Sequence, residues 1–176
     1  GYVIENGDLV TIVTTGRCAD QVDFVGRLIE ALPELTAQRD PLSLAIDAAP
    51  RLRNLLLLGA EEHPAFVSER RARELAKRVS LDDVHRSRLG VRVRDVGLML
   101  YTSGTTANPK GCLISHEAIV RNSIALGRHR YRLNGREGFW SPLPMFHIAA
   151  ILPTLAIFDV GGAYLTMTHF EAGTAL

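Results

Sequence analysis

Between two apolar runs, Val96 to Tyr101 and Gly111 to Ile114, the chain carries the segment YTSGTTANPKG, from Tyr101 to Gly111. Apolar runs of this length are stable only when paired and covered, while a stretch so rich in hydroxyls cannot be buried without partners. The pattern therefore predicts two strands joined by a loop whose polar groups serve something outside the core. Its composition suits a polyphosphate. Thr102, Ser103, Thr105 and Thr106 can donate hydrogen bonds to phosphate oxygens, Gly104 lets backbone N–H groups approach closely, and Lys110 supplies a mobile positive charge. Pro109 restricts the backbone beside that lysine. The spacing is not the Walker pattern, because Gly111 rather than Ser or Thr follows Lys110 and no helix starts at the lysine.

The rest of the chain alternates strand-like and helix-like stretches. Tyr2, Val3 and Ile4 before Asn6 and Gly7 read as the last turn of a helix with its glycine stop. Leu9 to Thr14 suits a buried strand, and Gly16 turns the chain. Asp20 is the predicted cap of a helix whose apolar positions are Val22, Val25, Ile29 and Leu32, ended by Pro33. Asp40 and Pro41 predict a short helix ending before Pro50. Asn54 to Leu58 is a leucine-rich buried strand closed by Gly59, completing a second βα-like step. Ala72, Leu75, Ala76 and Val79 line one face of the next helix, with a solvated basic exterior around them.

Ser80 to Asp95 is polar and weakly periodic, which predicts a connector, with Asp82 and Asp83 composed like a first helical turn rather than a metal site. After the loop, Cys112 reads as a small buried hydrophobe in the second strand, and Ser115 caps a helix through Ala118, Ile119 and Leu126. Phe139 and Trp140 lead into Pro142, Leu143 and Pro144. An apolar helix from Ile148 to Phe158, with Pro153 inside it, precedes a turn at Gly161 and Gly162 and a strand from Ala163 to Met167. His169 to Leu176 begins another helical pattern.

Composition narrows the function classes. The 176 residues allow one domain with its own core. Lys and Arg number 20 against 19 Asp and Glu, a net charge of +1 that offers no field for nucleic acid or an anionic membrane. Cys18 and Cys112 stand in no CxxC or Cys/His ligand spacing, which argues against zinc and a disulfide framework and predicts reduced thiols in the cytoplasm. Ile148 to Phe158, the longest apolar stretch, is too short to span a bilayer, and Glu5 and Asp8 fall where a signal peptide would need its apolar core.

In the loop the sequence resembles the adenylate-forming superfamily, which includes acyl-CoA synthetases, luciferases and the adenylation domains of peptide synthetases. The resemblance continues through Lys110, Gly111, Ser115 and His116, matching the family's Lys-Gly, short strand and Ser/Thr-His order, and departs at Ala107, where the family usually has Gly. A second match is Pro142, Leu143, Pro144, Met145, Phe146 and His147, similar to the family's segment bordering the acyl pocket. The resemblance implies an α/β, layered sheet-and-helix piece of the large N-terminal domain of an adenylate-forming enzyme, covering residues 1–176 and cut at both ends.

It further implies ATP, Mg2+ and coenzyme A as cofactors, and a small carboxylic acid as substrate. Lys110 and the hydroxyls of Thr102, Ser103, Thr105 and Thr106, with Gly104, would hold the β- and γ-phosphates; Thr102 would also touch the metal; His147 would stand beside the carboxylate. No Asp-containing segment for a substrate amine accompanies the second match, so acyl or aryl acids are preferred over amino acids. The magnesium-binding glutamate, the ribose-binding aspartate and the mobile C-terminal domain of the family are expected from a missing C-terminal part of the same enzyme. Two alternatives stay open: His147 as a helix cap, and the chain as a non-catalytic nucleotide-binding or structural fragment.

Overall fold

The computed structural model describes residues 1–18, 22–102, 108–167 and 172–173. The chain divides into two compact units, Gly1–Leu89 and Gly90–Leu176, where length alone allowed one domain. Both mix helices with small sheets.

In the first unit, α1 (Tyr2–Asn6) leads to β1 (Thr11–Thr15). Gly7 follows the helix but keeps a right-handed φ of −84°, and the left-handed turn falls instead on Asp8 at φ 50°. β1 pairs in parallel with β4 (Asn54–Leu58), from Thr11↔Asn54 to Thr15↔Leu58, and β4 pairs in parallel with β5 (Val67–Ser68). Parallel neighbours need a long crossover, and between β1 and β4 the chain supplies it with α2 (Phe24–Ala31) and a 3-10 turn, Pro33–Thr36. Register puts Ile12 beside Leu55 and Thr14 beside Leu57 on one face. That face is the buried one: Leu55 and Leu57 are closed from solvent, with Leu32, Leu35, Leu44, Ile46 and Leu52 around them. The opposite face is open, so Val13 is exposed, and the strands are half-buried rather than wholly buried.

Local details differ from expectation for identifiable reasons. Asp20 lies outside the described residues, and the cap of α2 is Asp23, whose Oδ1 accepts the Gly26 N–H at 2.8 Å. Val22 consequently sits in β3 (Val22–Asp23), paired antiparallel with β2 (Arg17–Cys18), and not in the helix. No helix forms between Asp40 and Pro50. Asp40 Oδ1 takes the Leu42 N–H at 3.0 Å, Gln38 Nε2 donates to the Ala45 carbonyl at 2.9 Å, and the Glu34 carboxylate takes the N–H groups of Asp47 and Ala48. Side chains thus satisfy the backbone in place of helical bonds, while Leu44, Ile46 and Ala49 remain buried.

Gly59, at φ 98°, closes β4 and donates its N–H to Glu69 Oε2 at 2.9 Å, the first residue of α3 (Glu69–Ala76). That backbone bond, helped by Arg73, lowers the Glu69 carboxyl below its ordinary value. On α3, Ala72 and Leu75 are half-buried, whereas Ala76 and Val79 face solvent, the latter because the helix has already ended. The predicted connector holds a helix, α4 (Leu81–Leu89), started by Ser80, whose Oγ accepts the Asp83 N–H at 3.1 Å. Asp82 and Asp83 occupy its first turn, as their composition predicts. Every residue of α4 is exposed, which is why its apolar periodicity is weak.

In the second unit, β6 (Val96–Thr102) and β7 (Lys110–Ser115) form an antiparallel pair followed directly by α5 (His116–Ala125). Ser115 caps α5 as expected, its Oγ accepting the Ala118 N–H at 3.2 Å. A π-helical turn, Leu126–Tyr131, continues α5 and packs Gly127 against α6 (Ile148–Asp159) at Ala156, close enough to leave little room for a Cβ. Ile119, Ala150, Ala156 and Ile157 are buried here. α6 passes through Pro153, next to which Thr154 Oγ1 donates to the Ala150 carbonyl at 2.8 Å. β8 (Gly138–Trp140) and β9 (Ala163–Leu165) pair in parallel; β9 ends two residues earlier than the sequence predicts, and the helical pattern from His169 lies largely outside the described residues.

Leu55→Ala removes a side chain with no solvent exposure from the middle of β4. It should lower unfolding free energy by about 2–5 kcal/mol in a denaturant titration. Glu69→Gln tests the tie between β4 and α3. Because the folded-state value is lowered, the carboxylate's contribution is present above the ordinary glutamate range and lost as pH falls through the lowered value. Melting temperature measured from neutral to acid pH should therefore fall less steeply in Glu69→Gln than in the parent.

Candidate active site

The strand pair β6–β7 brings the two ends of the hydroxyl-rich loop together. Thr102 stands directly opposite Lys110, and Tyr101 opposite Gly111. Cross-strand partners share a face, so the Thr102 hydroxyl and the Lys110 ammonium belong to one side of the hairpin. Both residues are exposed, and Lys110 has no ion-pair partner among the described residues. On the other face Gly111 leaves space that Met99 and the Tyr101 ring occupy: a Cβ there would lie 3.0 Å from Met99 Sδ and 3.3 Å from the Tyr101 ring. A side chain at 111 would crowd Met99 first and the Tyr101 ring next. Ser103, Gly104, Thr105, Thr106 and Ala107 lie outside the described residues.

Cys112, two residues along β7 from Lys110, is on the same face and is exposed. The expectation of a buried cysteine fails: among the described residues β6 and β7 form a two-stranded sheet, and Cys112 is exposed on it. Both cysteines are free thiols. Among the described residues no group of three or more His, Cys, Asp or Glu side chains is placed to hold a metal ion.

His147 caps α6. Its Nδ1 accepts the Ala149 N–H at 3.2 Å, and its carbonyl accepts the N–H groups of Ala150 and Ile151 at 2.9 and 3.1 Å. An accepting Nδ1 puts the ring proton of the neutral imidazole on Nε2, which leaves Nε2–H as a donor directed away from the helix. The capping alternative is thus realised, and it leaves one nitrogen available to a substrate. Phe146, 80% exposed, and Met145 flank it as an apolar rim in the preceding turn. No hydrogen bond or ion pair among the described residues joins His147 to Thr102 or Lys110.

Sequence reasoning passed over Gly97. The register of β6 and β7 shifts between Val96 and Leu98, leaving Gly97 as an extra residue on β6. A glycine inside an otherwise apolar strand is the available signal for such a bulge.

The cap predicts a separation of roles. His147→Ala should destabilise the protein by about 1 kcal/mol, and His147→Asn should restore stability, since Asn is a favoured N-cap. Thermal melts of the two variants check this, independently of any substrate.

Comparison with known proteins identifies the family of the chain. Residues 1–175 match the family model described as AMP-binding enzyme. The Bacillus subtilis (strain 168) protein YngI is 26% identical over 99% of this chain and 32% of its own length. The long-chain-fatty-acid–CoA ligase FadD13 of Mycobacterium tuberculosis (strain ATCC 25618 / H37Rv) is 37% identical over 42% of this chain and 14% of its own. Among solved structures, the N-terminal domain of FACL13 from Mycobacterium tuberculosis superposes with a TM-score of 0.59 over 99% of this chain and 35% of that one, at 18% identity. The chain thus spans about a third of YngI. A family match running from residue 1 to residue 175 takes in both the hairpin and the His147 turn, and by it the chain belongs to the AMP-binding enzyme family.

Proposed function

We propose that this chain contributes the phosphate-gripping loop and part of the acid-binding wall of an ATP-dependent acid–CoA ligase. The observation that carries the reading is the placement of Thr102 opposite Lys110 at the mouth of the β6–β7 hairpin. A cation and a hydroxyl on one face, at the end of a loop with five more polar or glycine positions, form a cradle for the β- and γ-phosphates of ATP. The substrate carboxylate attacks the α-phosphate and pyrophosphate leaves; the thiol of coenzyme A then loses its proton and attacks the acyl carbonyl of the adenylate, forming the thioester as AMP leaves. Lys110 stabilises the negative charge that grows on the departing pyrophosphate.

A magnesium ion carried on the triphosphate would supply charge neutralisation. Thr102, exposed at the end of β6, would add one hydroxyl oxygen to its coordination. His147 serves the acid side, its Nε2–H donating to the substrate carboxylate while Nδ1 holds α6. The apolar Met145 and Phe146 beside it suit an acyl or aryl acid better than a charged one. The two free thiols fit a reducing cytoplasm, and among the described residues no helix is long and apolar enough to cross a membrane.

The test is Lys110→Ala in the full-length enzyme that carries this sequence. ATP–pyrophosphate exchange should fall by about 100-fold or more, while unfolding free energy shifts by less than about 0.5 kcal/mol, as for an exposed side chain. Unchanged exchange, or a loss matched by lower stability, would remove Lys110 from the phosphate site. Calorimetric titration of the 176-residue chain with ATP addresses the second reading, a nucleotide-binding module without turnover. Weak binding with no exchange by the isolated chain supports it.

A further inference from the structure

The bulge at Gly97 decides which residue faces Lys110. Val96 pairs with Ser115, but Leu98, not Gly97, pairs with Ile114, and the shifted register then runs unbroken to Thr102↔Lys110. Had pairing continued from Val96 without the extra residue, Tyr101 would stand opposite Lys110. Thr102 would then point to the other face, because side chains alternate along a strand. The grip described above exists only in the bulged register.

His116 is the side chain that occupies the bulge. A Cβ built on Gly97 would lie 2.7 Å from His116 Nδ1 and 2.9 Å from its Cε1 and Cγ, so the ring rests flat against the glycine backbone. The imidazole is half-buried and makes no hydrogen bond among the described residues. Its contact with Gly97 is therefore one of packing. The main chain on either side is tied down: His116 N–H donates to the Asp95 carbonyl at 3.1 Å, Glu117 N–H donates to the Val93 carbonyl at 2.7 Å, and Asp95 Oδ2 accepts the Arg92 N–H at 2.8 Å. The start of α5 thus clamps the residues just before β6, and the ring sits where the register changes.

We propose that His116 is a positioning residue: its ring, packed on the bulged Gly97, holds β6 in the register that sets Thr102 opposite Lys110. The inference rests on the reading of the hairpin as a phosphate grip, but its structural half can be measured without any ligand. His116→Ala removes the ring, and His116→Phe keeps a ring without nitrogens.

The register is read by nuclear Overhauser contacts between the backbone protons of Thr102 and Lys110, and function by calorimetric titration with magnesium pyrophosphate. In His116→Ala the Thr102–Lys110 contacts should weaken or vanish and pyrophosphate affinity should fall roughly tenfold, the loss of a hydrogen bond to a charged group. His116→Phe should restore both. Retained contacts between Gly127 and Ala156, where α5 and its π-helical turn pack on α6 in the same compact unit, show that the variants fold. Intact Thr102–Lys110 contacts in His116→Ala overturn the proposal, as does a Phe variant as defective as Ala, which would assign the role to an imidazole nitrogen. If the parent chain itself fails to bind pyrophosphate, the phosphate-grip reading falls, and the backbone contacts alone then decide the role of His116.

Discussion

The antiparallel pairing of β6 with β7 is the interaction on which the candidate site depends. A loop of small hydroxylated residues has little structure of its own, because short polar side chains compete with the backbone for hydrogen bonds and bury almost no apolar surface. Pairing the flanking strands converts that loop into a fixed span between two neighbouring points, Thr102 and Lys110. The cation then needs no ion-pair partner to hold it in place. Its position comes from the strand, and its charge stays available to a ligand. Glycine at 111 and glycine at 97 serve this pairing differently, one by leaving space beside Met99 and Tyr101 and the other by absorbing a residue in the register.

The first unit rests on a different economy. Its parallel strands bury one face only, on which Leu55 and Leu57 are closed from solvent. The crossover that parallel pairing demands returns through residues 37–53, which contain no helix. Gln38 and Glu34 take up the orphaned backbone groups there, and Leu44, Ile46, Ala49 and Leu52 drop into the core from an irregular path. The same device recurs where Glu69 takes the N–H of Gly59, a carboxylate at the first turn of α3 meeting the end of β4. In each case a charged or amide side chain does for the backbone what a further turn of helix would have done.

Many apolar side chains in the second unit remain in contact with solvent, including Val96, Leu113, Phe146 and Phe158. The β6–β7 sheet has two strands, and β8–β9 has two. Sheets this narrow cover little of their own surface. Cys112 is exposed for that reason and not through any special chemistry of its own. Capping α6 uses the Nδ1 and the backbone carbonyl of His147 but not its Nε2.

Much of this was legible in the amino-acid sequence. The strands at Asn54 to Leu58 and on either side of the loop, the Ser115 cap, the helix from Ile148 and the family resemblance all follow from local rules: apolar run length, hydroxyl caps, proline and glycine stops, and motif spacing. Local rules failed where distant partners decided. Asp40 and Pro41 look like a helix start, but Gln38 and Glu34 hold the segment in another shape; Ser80 to Asp95 looks like a connector because a helix exposed on all sides has no periodicity to read. The sequence by itself determined the chemistry that the loop can perform, since hydroxyls, glycine and lysine are properties of residues. Only the tertiary structure decided that Thr102, and not Tyr101, faces Lys110, because strand register is set by the bulge at Gly97 and its contact with His116, nineteen residues away along the chain.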